Sequence, residues 1–274
     1  KEKVLMNPTA NSLVFLRGGG LGDFLLTIPV LFEACNRYES VHLFTRPSYR
    51  SILLNHELDN LEFHDLDGEI IQAFKLCSGN DVISFWNDPE WIQDLKNTGL
   101  SKLSILVPRP KNGPHVVQRF FEDLGWDFTD DLLRIAWLGD QWKKRSKNLW
   151  IHPGSGSLSK NASITYFEER AHQWIRKNSE NQVTLSFGEC DEELREKFRN
   201  ASLVREKKVE LLTDLSLSDF KDRMANQAGA YLGNDSGPSH LAAMLGIPTE
   251  VIYLSTSPRI WSPVGPRVKL LGIQ

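Results

Sequence analysis

The sequence predicts an α/β fold, and three observations carry that expectation. Short runs rich in Val, Ile, Leu and Phe recur along the whole chain. They alternate with longer segments of helical period, the pattern of stacked strand-helix units around a parallel sheet. A turn rich in glycine then follows the leading apolar run of each half, where a strand hands over to a helix.

In the first half the expected strands are 13–16, 41–45, 61–64, 81–86 and 103–107, each followed by a helix. The second half repeats the plan with strands at 149–152, 183–187, 230–233, 249–254 and 268–271, and helices near 166–178, 191–200, 216–227 and 238–245. Between the halves runs Gly139-Asp-Gln-Trp-Lys-Lys-Arg-Ser-Lys-Asn148, charged and without apolar period. Residues 1–140 and 149–274 are therefore read as two domains joined by a linker at 141–148. Two such domains are expected to face each other across a cleft, because loops and helix N-termini collect at the carboxyl ends of parallel strands. Short-period repeats, low-complexity tracts and heptads do not occur.

Composition narrows the function. The 274 residues are 41% hydrophobic and 24% charged, as in ordinary globular proteins. A net charge of −3 offers no chain-wide attraction to nucleic acid or anionic lipid. Cys35, Cys77 and Cys190 lie far apart without the spacing of a zinc site or a disulfide framework, which suits a reducing compartment. Neither a spanning apolar run nor a signal-peptide stretch is evident, so the expected location is cytoplasmic.

Three motifs carry chemistry. The first, Leu16-Arg-Gly-Gly-Gly-Leu-Gly-Asp-Phe-Leu-Leu-Thr-Ile-Pro29, brings backbone close to a ligand at Gly20 and Gly22 and places Asp23 where loop becomes helix. Asp23 is either a group projecting into the cleft or a helix N-cap. A dinucleotide site would need an acid after the second strand, where the chain has Thr45-Arg46-Pro47.

The second motif is Ile151-His-Pro-Gly-Ser-Gly-Ser-Leu-Ser-Lys160. Its small residues expose N–H groups around Ser155 and Gly156, and Lys160 adds a point charge, a combination suited to a diphosphate or simply to a surface turn. The third is Leu232-Gly-Asn-Asp-Ser-Gly-Pro-Ser-His-Leu-Ala-Ala-Met-Leu-Gly-Ile-Pro248, a strand, a loop and a helix opening near Pro238. Ser236 and Gly237 present donors at the positive end of that helix. Asp235 either accepts from sugar hydroxyls or closes an Asx-turn, and His240 is either a functional or a packed group.

Other patterns are weak. Asp65-Leu-Asp67 imitates a metal-binding DxD, but triplets this short arise by chance. Neither Ser155 nor Ser236 sits in the strand-turn-helix context of a hydrolase nucleophile. Arg46, Arg50, Arg109, Lys111 and Arg119 could receive a phosphorylated glycolipid, though scattered surface charge explains them as well.

In order and spacing, the three motifs together with Ser257-Pro-Arg-Ile-Trp-Ser-Pro263 resemble glycosyltransferase family 9, the ADP-heptose:lipopolysaccharide heptosyltransferase group. The resemblance implies a GT-B architecture of two Rossmann-like domains, with the acceptor in the N-terminal and the nucleotide-sugar in the C-terminal one. It implies inversion without a metal, so no cofactor is expected beyond the donor, ADP-heptose or another nucleoside-diphosphate sugar. In its terms Asp23 matches the catalytic base, Lys160, Ser236 and Gly237 match donor-phosphate contacts, and Asp235 matches a donor-sugar contact. Glu189, in Phe187-Gly-Glu-Cys-Asp-Glu-Glu193, stands for a ribose-binding acid, and Leu215 for an apolar wall against the base. The expected partners are a glycan or glycolipid acceptor, met by a monomer at the inner membrane face. The alternatives are a sugar-nucleotide epimerase or hydrolase on the same plan, or a non-catalytic nucleotide-sugar-binding protein.

Overall fold

A computed structural model describes residues 9–54, 56, 58–139, 146–199, 201–205 and 207–272. The chain divides into two compact units between Leu132 and Leu133.

The first unit runs β1 (Ser12–Leu16), α1 (Leu21–Leu25), α2 (Ile28–Arg37), β2 (Ser40–Thr45), α3 (Arg50–Leu53), β3 (Leu61–Asp65), α4 (Ile70–Cys77), β4 (Asp81–Ser84), α5 (Pro89–Asn97), β5 (Lys102–Ile105) and α6 (Val116–Leu124). Its five strands are parallel in the order β3-β2-β1-β4-β5. Leu13, Val14, Phe15 and Leu16 of the central strand are fully buried, which is why β1 reads as an unbroken apolar run instead of an alternating one. Each such side chain contributes roughly 1.5–3 kcal/mol on burial. Local signals set the helix ends. Asp88 caps α5 by accepting from the N–H groups of Glu90 and Trp91, Pro89 takes the first turn, and Gly125 closes α6 with φ +69°.

The second unit runs β6 (Asn148–His152), α7 (Ile164–Lys177), β7 (Gln182–Ser186), α8 (Glu192–Arg199), β8 (Val209–Leu212), α9 (Leu217–Gln227), β9 (Ala230–Asn234), α10 (Gly237–Met244), β10 (Thr249–Tyr253), α11 (Pro258–Trp261) and β11 (Val268–Gly272). Its six parallel strands are ordered β11-β10-β9-β6-β7-β8. Ile151, Leu185, Leu232 and Ile252 bring four neighbouring strands into one core with Phe167 and Ala171 of α7.

Both sheets have the same logic: the first strand lies inside, the next two extend to one side, and the chain then returns to the other side. The order reverses between β1 and β4 in the first unit and between β6 and β9 in the second. Such a reversal splays the two following loops apart and leaves a crevice at the carboxyl ends of the strands.

All ten expected strands are present, and β8 is a strand the sequence reading missed. The division between units also falls earlier than the expected boundary near 140. Residues 133–139 already bond within the second unit, with Gly265 N–H donating to Leu133 O and Leu138 N–H to Met244 O. Of the expected linker at 141–148, residues 141–145 lie outside the described residues.

Candidate active site

In the first unit, the loop leaving β1 turns at Gly19, whose φ of +96° only glycine adopts without strain. Gly20 then caps α1, and Asp23 occupies the third helical position, where its carboxylate accepts the Gly20 N–H at 3.1 Å. Gly20, and not Asp23 as foreseen, is thus the N-cap residue, and Asp23 closes the cap from the third helical position. Gly22 lies inside α1 and its carbonyl accepts from Leu26 N–H.

Asp23 is more than a cap, because two guanidinium groups converge on its carboxylate. Arg17 Nη2 lies 3.6 Å from one oxygen and Arg109 Nη2 3.9 Å from the other. Arg17 is buried, donates to the Asp23 carbonyl at 2.7 Å and lies 4.4 Å above the Phe85 ring. Burial lowers its pKa to about 10, against the opposing pull of Asp23, so it stays protonated at neutral pH. Asp23 keeps 22% of its side chain exposed. A charged, accessible carboxylate thus stands at the crevice of the first sheet, held by cations that fix its direction.

Beside this loop opens a cavity of about 480 Å³ lined by Leu66, Asp67, Ile70, Trp86, Asp88 and Trp91. Trp86 packs so closely on Gly18 that a Cβ there would come within 2.7 Å of the indole. Two indoles edge to face at 5.6 Å with two carboxylates suit a ring bearing hydroxyls, since apolar sugar faces stack on aromatics while hydroxyls donate to acids. Asp65 closes an Asx-turn onto Asp67 N–H at 3.1 Å, the ordinary use of such an acid.

In the second unit, the crevice between β6 and β9 gathers several predicted residues. Lys160 donates to Asp235 at 2.8 Å, and Thr256, after β10, donates to the same carboxylate oxygen at 2.6 Å. His240 Nε2 lies 3.9 Å from the other oxygen. Burial alone would raise the Asp235 pKa, but the nearby His240 and the hydrogen bonds from Lys160 and Thr256 outweigh it and hold the carboxyl below the usual carboxylate range. Asn234 locks the neighbouring loop, donating to Pro153 O at 2.7 Å and accepting from Ala162 N–H at 3.0 Å.

This network gives a pH prediction. A carboxyl whose pKa is depressed by folding stabilises the fold fully above its unfolded pKa of about 3.9, and that contribution is lost as pH falls toward the folded value. Acid titration of stability should therefore show a loss below about pH 4 that Asp235→Asn makes shallower, read by urea unfolding at a series of pH values.

The start of α10 is the other feature of this crevice. Ser236 is its N-cap residue but makes no side-chain capping bond, and Gly237 and Pro238 follow. The first N–H groups of a helix lack intrahelical partners and carry its positive end, so an anion is stabilised there.

The remaining predicted residues are placed differently. Ser155 Oγ is engaged within its own loop, 2.6 Å from Asn161 Oδ1 and 2.7 Å from Ser157 O, and Gly156 has open space where a Cβ would point. Glu189 is exposed on the loop after β7, and Leu215 is half-buried just before α9; among the described residues, neither is bonded to the Lys160–Asp235 group. The buried acid of the β7 loop is instead Asp191, which accepts from Gly188 N–H at 2.8 Å and lies 3.4 Å from His152 Nε2. His152 also meets Ser186 at 3.0 Å, and burial lowers its pKa, which keeps the ring neutral. Asp191 fills the space beside Gly154 so fully that a Cβ there would collide with its carboxylate.

Asn234, Thr256, His152 and Asp191 were not foreseen as site residues. Asn234 stood inside a quoted motif and Asp191 among the acids of 187–193. Thr256 has no local signal, because its role comes from the register of β10 beside β9.

The model of glycosyltransferase family 9 (heptosyltransferase) matches residues 107–274. No curated protein matches the sequence. Among solved structures, the chain is similar to ADP-heptose LPS heptosyltransferase II of E. coli, with a TM-score of 0.74 and 16% identity over 95% of this chain and 90% of that one. It is similar to E. coli heptosyltransferase WaaC with ADP, at 0.70 and 15% over 96% and 93%. A family 9 glycosyl transferase from Veillonella parvula gives 0.73 and 16% over 98% and 89%. These likenesses show a shared fold of two Rossmann-like α/β units, the GT-B plan.

Proposed function

The chain belongs to glycosyltransferase family 9, and from that premise we propose that it moves heptose or a related sugar, with inversion and without a metal, from a nucleoside diphosphate to an acceptor hydroxyl. The favoured donor is ADP-heptose, since E. coli WaaC, a protein of similar fold, was solved with ADP and with an ADP-heptose analogue. The favoured acceptor is a growing glycolipid of lipopolysaccharide assembly, met by a monomer at the cytoplasmic membrane face. Among the described residues, no helix is long and apolar enough to cross a membrane.

One observation carries the reading: each unit has, at the strand-order reversal of its own sheet, the group that one half of the reaction needs. The first unit has a carboxylate, Asp23, and the second has a cation, Lys160, beside the open end of α10. Asp23 takes the acceptor proton as the oxygen attacks the anomeric carbon from the face opposite the leaving group. Lys160 and the N–H groups near Ser236 and Gly237 receive the charge growing on the departing diphosphate, which is the work a metal does elsewhere. Asp235, flanked by His240, holds Lys160 and is freed toward the donor sugar when phosphate takes the ammonium. Glu189, exposed on the loop after β7, is the acid on the nucleoside side, with Leu215 as an apolar wall. The aromatic cavity at Trp86 and Trp91 suits an acceptor sugar.

A calorimetric screen of ADP, UDP, GDP and their sugars against the purified chain tests the donor half. The expected result is tightest binding by ADP-heptose, with ADP retaining most of the affinity. Binding by no nucleoside diphosphate would contradict the proposal.

A further inference from the structure

The geometry points to a Zn²⁺ site on the first unit's sheet, built by His42, Glu62 and His64. His42 lies on β2, and Glu62 and His64 on the edge strand β3. The parallel register pairs His42 with Glu62 and Phe44 with His64, so all four side chains share one face of the sheet. Three ligand atoms meet there. His42 Nδ1 lies 3.2 Å from His64 Nε2 and 3.2 Å from Glu62 Oε2, and His64 Nε2 lies 3.8 Å from the same oxygen. Neighbouring ligands on a tetrahedron with bonds of about 2.0–2.1 Å stand about 3.3 Å apart, so a zinc ion fits with small shifts of one exposed carboxylate.

The outer partners are those such a site requires. His64 Nδ1 lies 3.1 Å from Glu69 Oε2, which fixes Nδ1 as the donor and leaves the Nε2 lone pair for the metal. The Phe44 ring stacks on His64 with centroids 4.4 Å apart and holds its plane. His42 Nε2 faces Ser40 Oγ at 3.4 Å. Without an ion, His42 Nδ1–H donates to His64 Nε2; with one, that proton is released and both lone pairs and the carboxylate point at a single centre.

Two imidazoles and one carboxylate favour a borderline ion such as Zn²⁺ over Mg²⁺ or Ca²⁺, and the Glu62 side chain is 64% exposed, which leaves water a fourth position. The ion would staple the edge strand β3, which pairs only with β2, to the sheet. The groups assigned to sugar transfer are different residues, so this site is separate from that reading.

Titrating metal-stripped full-length protein with Zn²⁺ by calorimetry should give one saturable site, and saturation should raise the melting temperature by a few degrees. Glu62→Gln, at an exposed position that folding does not need, should weaken binding at least tenfold. Glu69→Gln, which removes no ligand, should weaken it by about 10–100-fold by freeing the His64 ring. His42→Ala combined with His64→Gln should abolish the site, with circular dichroism confirming the fold. If that double variant does not fold, Glu62→Gln decides. The absence of saturable binding to the unmutated chain, or binding unchanged in Glu62→Gln, would overturn the assignment.

Discussion

Asp23→Asn is expected to lower sugar transfer by about 10²–10⁴-fold while leaving nucleotide-sugar affinity nearly unchanged. Asn retains the shape and can still accept the Gly20 N–H that ties the start of α1 together, so the helix cap survives. What it loses is the charge between Arg17 and Arg109 and the capacity to take a proton. Those guanidinium groups fix the direction of the carboxylate. Proton transfer accompanies attack, as bond formation to the anomeric carbon makes the acceptor oxygen acidic. Initial rates at saturating acceptor, with donor binding measured separately, check this. Full turnover in the variant would leave Asp23 as a cap alone.

Lys160→Ala is expected to weaken binding of the intact donor by roughly ten- to a hundredfold, the worth of a hydrogen bond to a charged group, while the bare nucleoside binds nearly as before. The same change leaves Asp235 buried without its ammonium, although Thr256 still donates to it. A stability loss of up to about 3 kcal/mol would accompany that. The combination with Asp235→Asn separates the two effects, because it removes the stranded charge and should restore much of the stability without restoring phosphate affinity. Equal losses for donor and nucleoside would contradict a phosphate role.

The sequence spoke most clearly where burial on two faces enforces a long apolar run, as in 13–16 and 149–152, and where proline marks a helix start, as at Pro238. The strand β8 escaped because it is a short edge strand: Val209 and Leu211 are half-buried, Glu210 is exposed, and only Leu212 reaches the core. The compact units divide at Leu132 and Leu133, ahead of the expected linker, because Leu138 N–H donates to Met244 O and Gly265 N–H to Leu133 O, contacts that no composition shift announces.

For the site, spacing within a motif was legible and pairing between motifs was not. Lys160 and Asp235 were each singled out, yet they lie 75 positions apart, and only the neighbouring placement of β6 and β9 makes them partners. The His42, Glu62 and His64 group is the stronger instance, since strand register alone aligns it. Ser155 shows the reverse: a small hydroxyl in a glycine-rich turn suggested a phosphate donor, but its nearest acceptors belong to its own loop.

The most direct test of the account is donor consumption by the purified chain in the presence of a chelator, measured with and without a lipopolysaccharide-core acceptor. The account predicts release of nucleoside diphosphate only when acceptor is present, with a matching amount of glycosylated product of inverted anomeric configuration. Equal consumption without acceptor, or retention of configuration in the product, would contradict it.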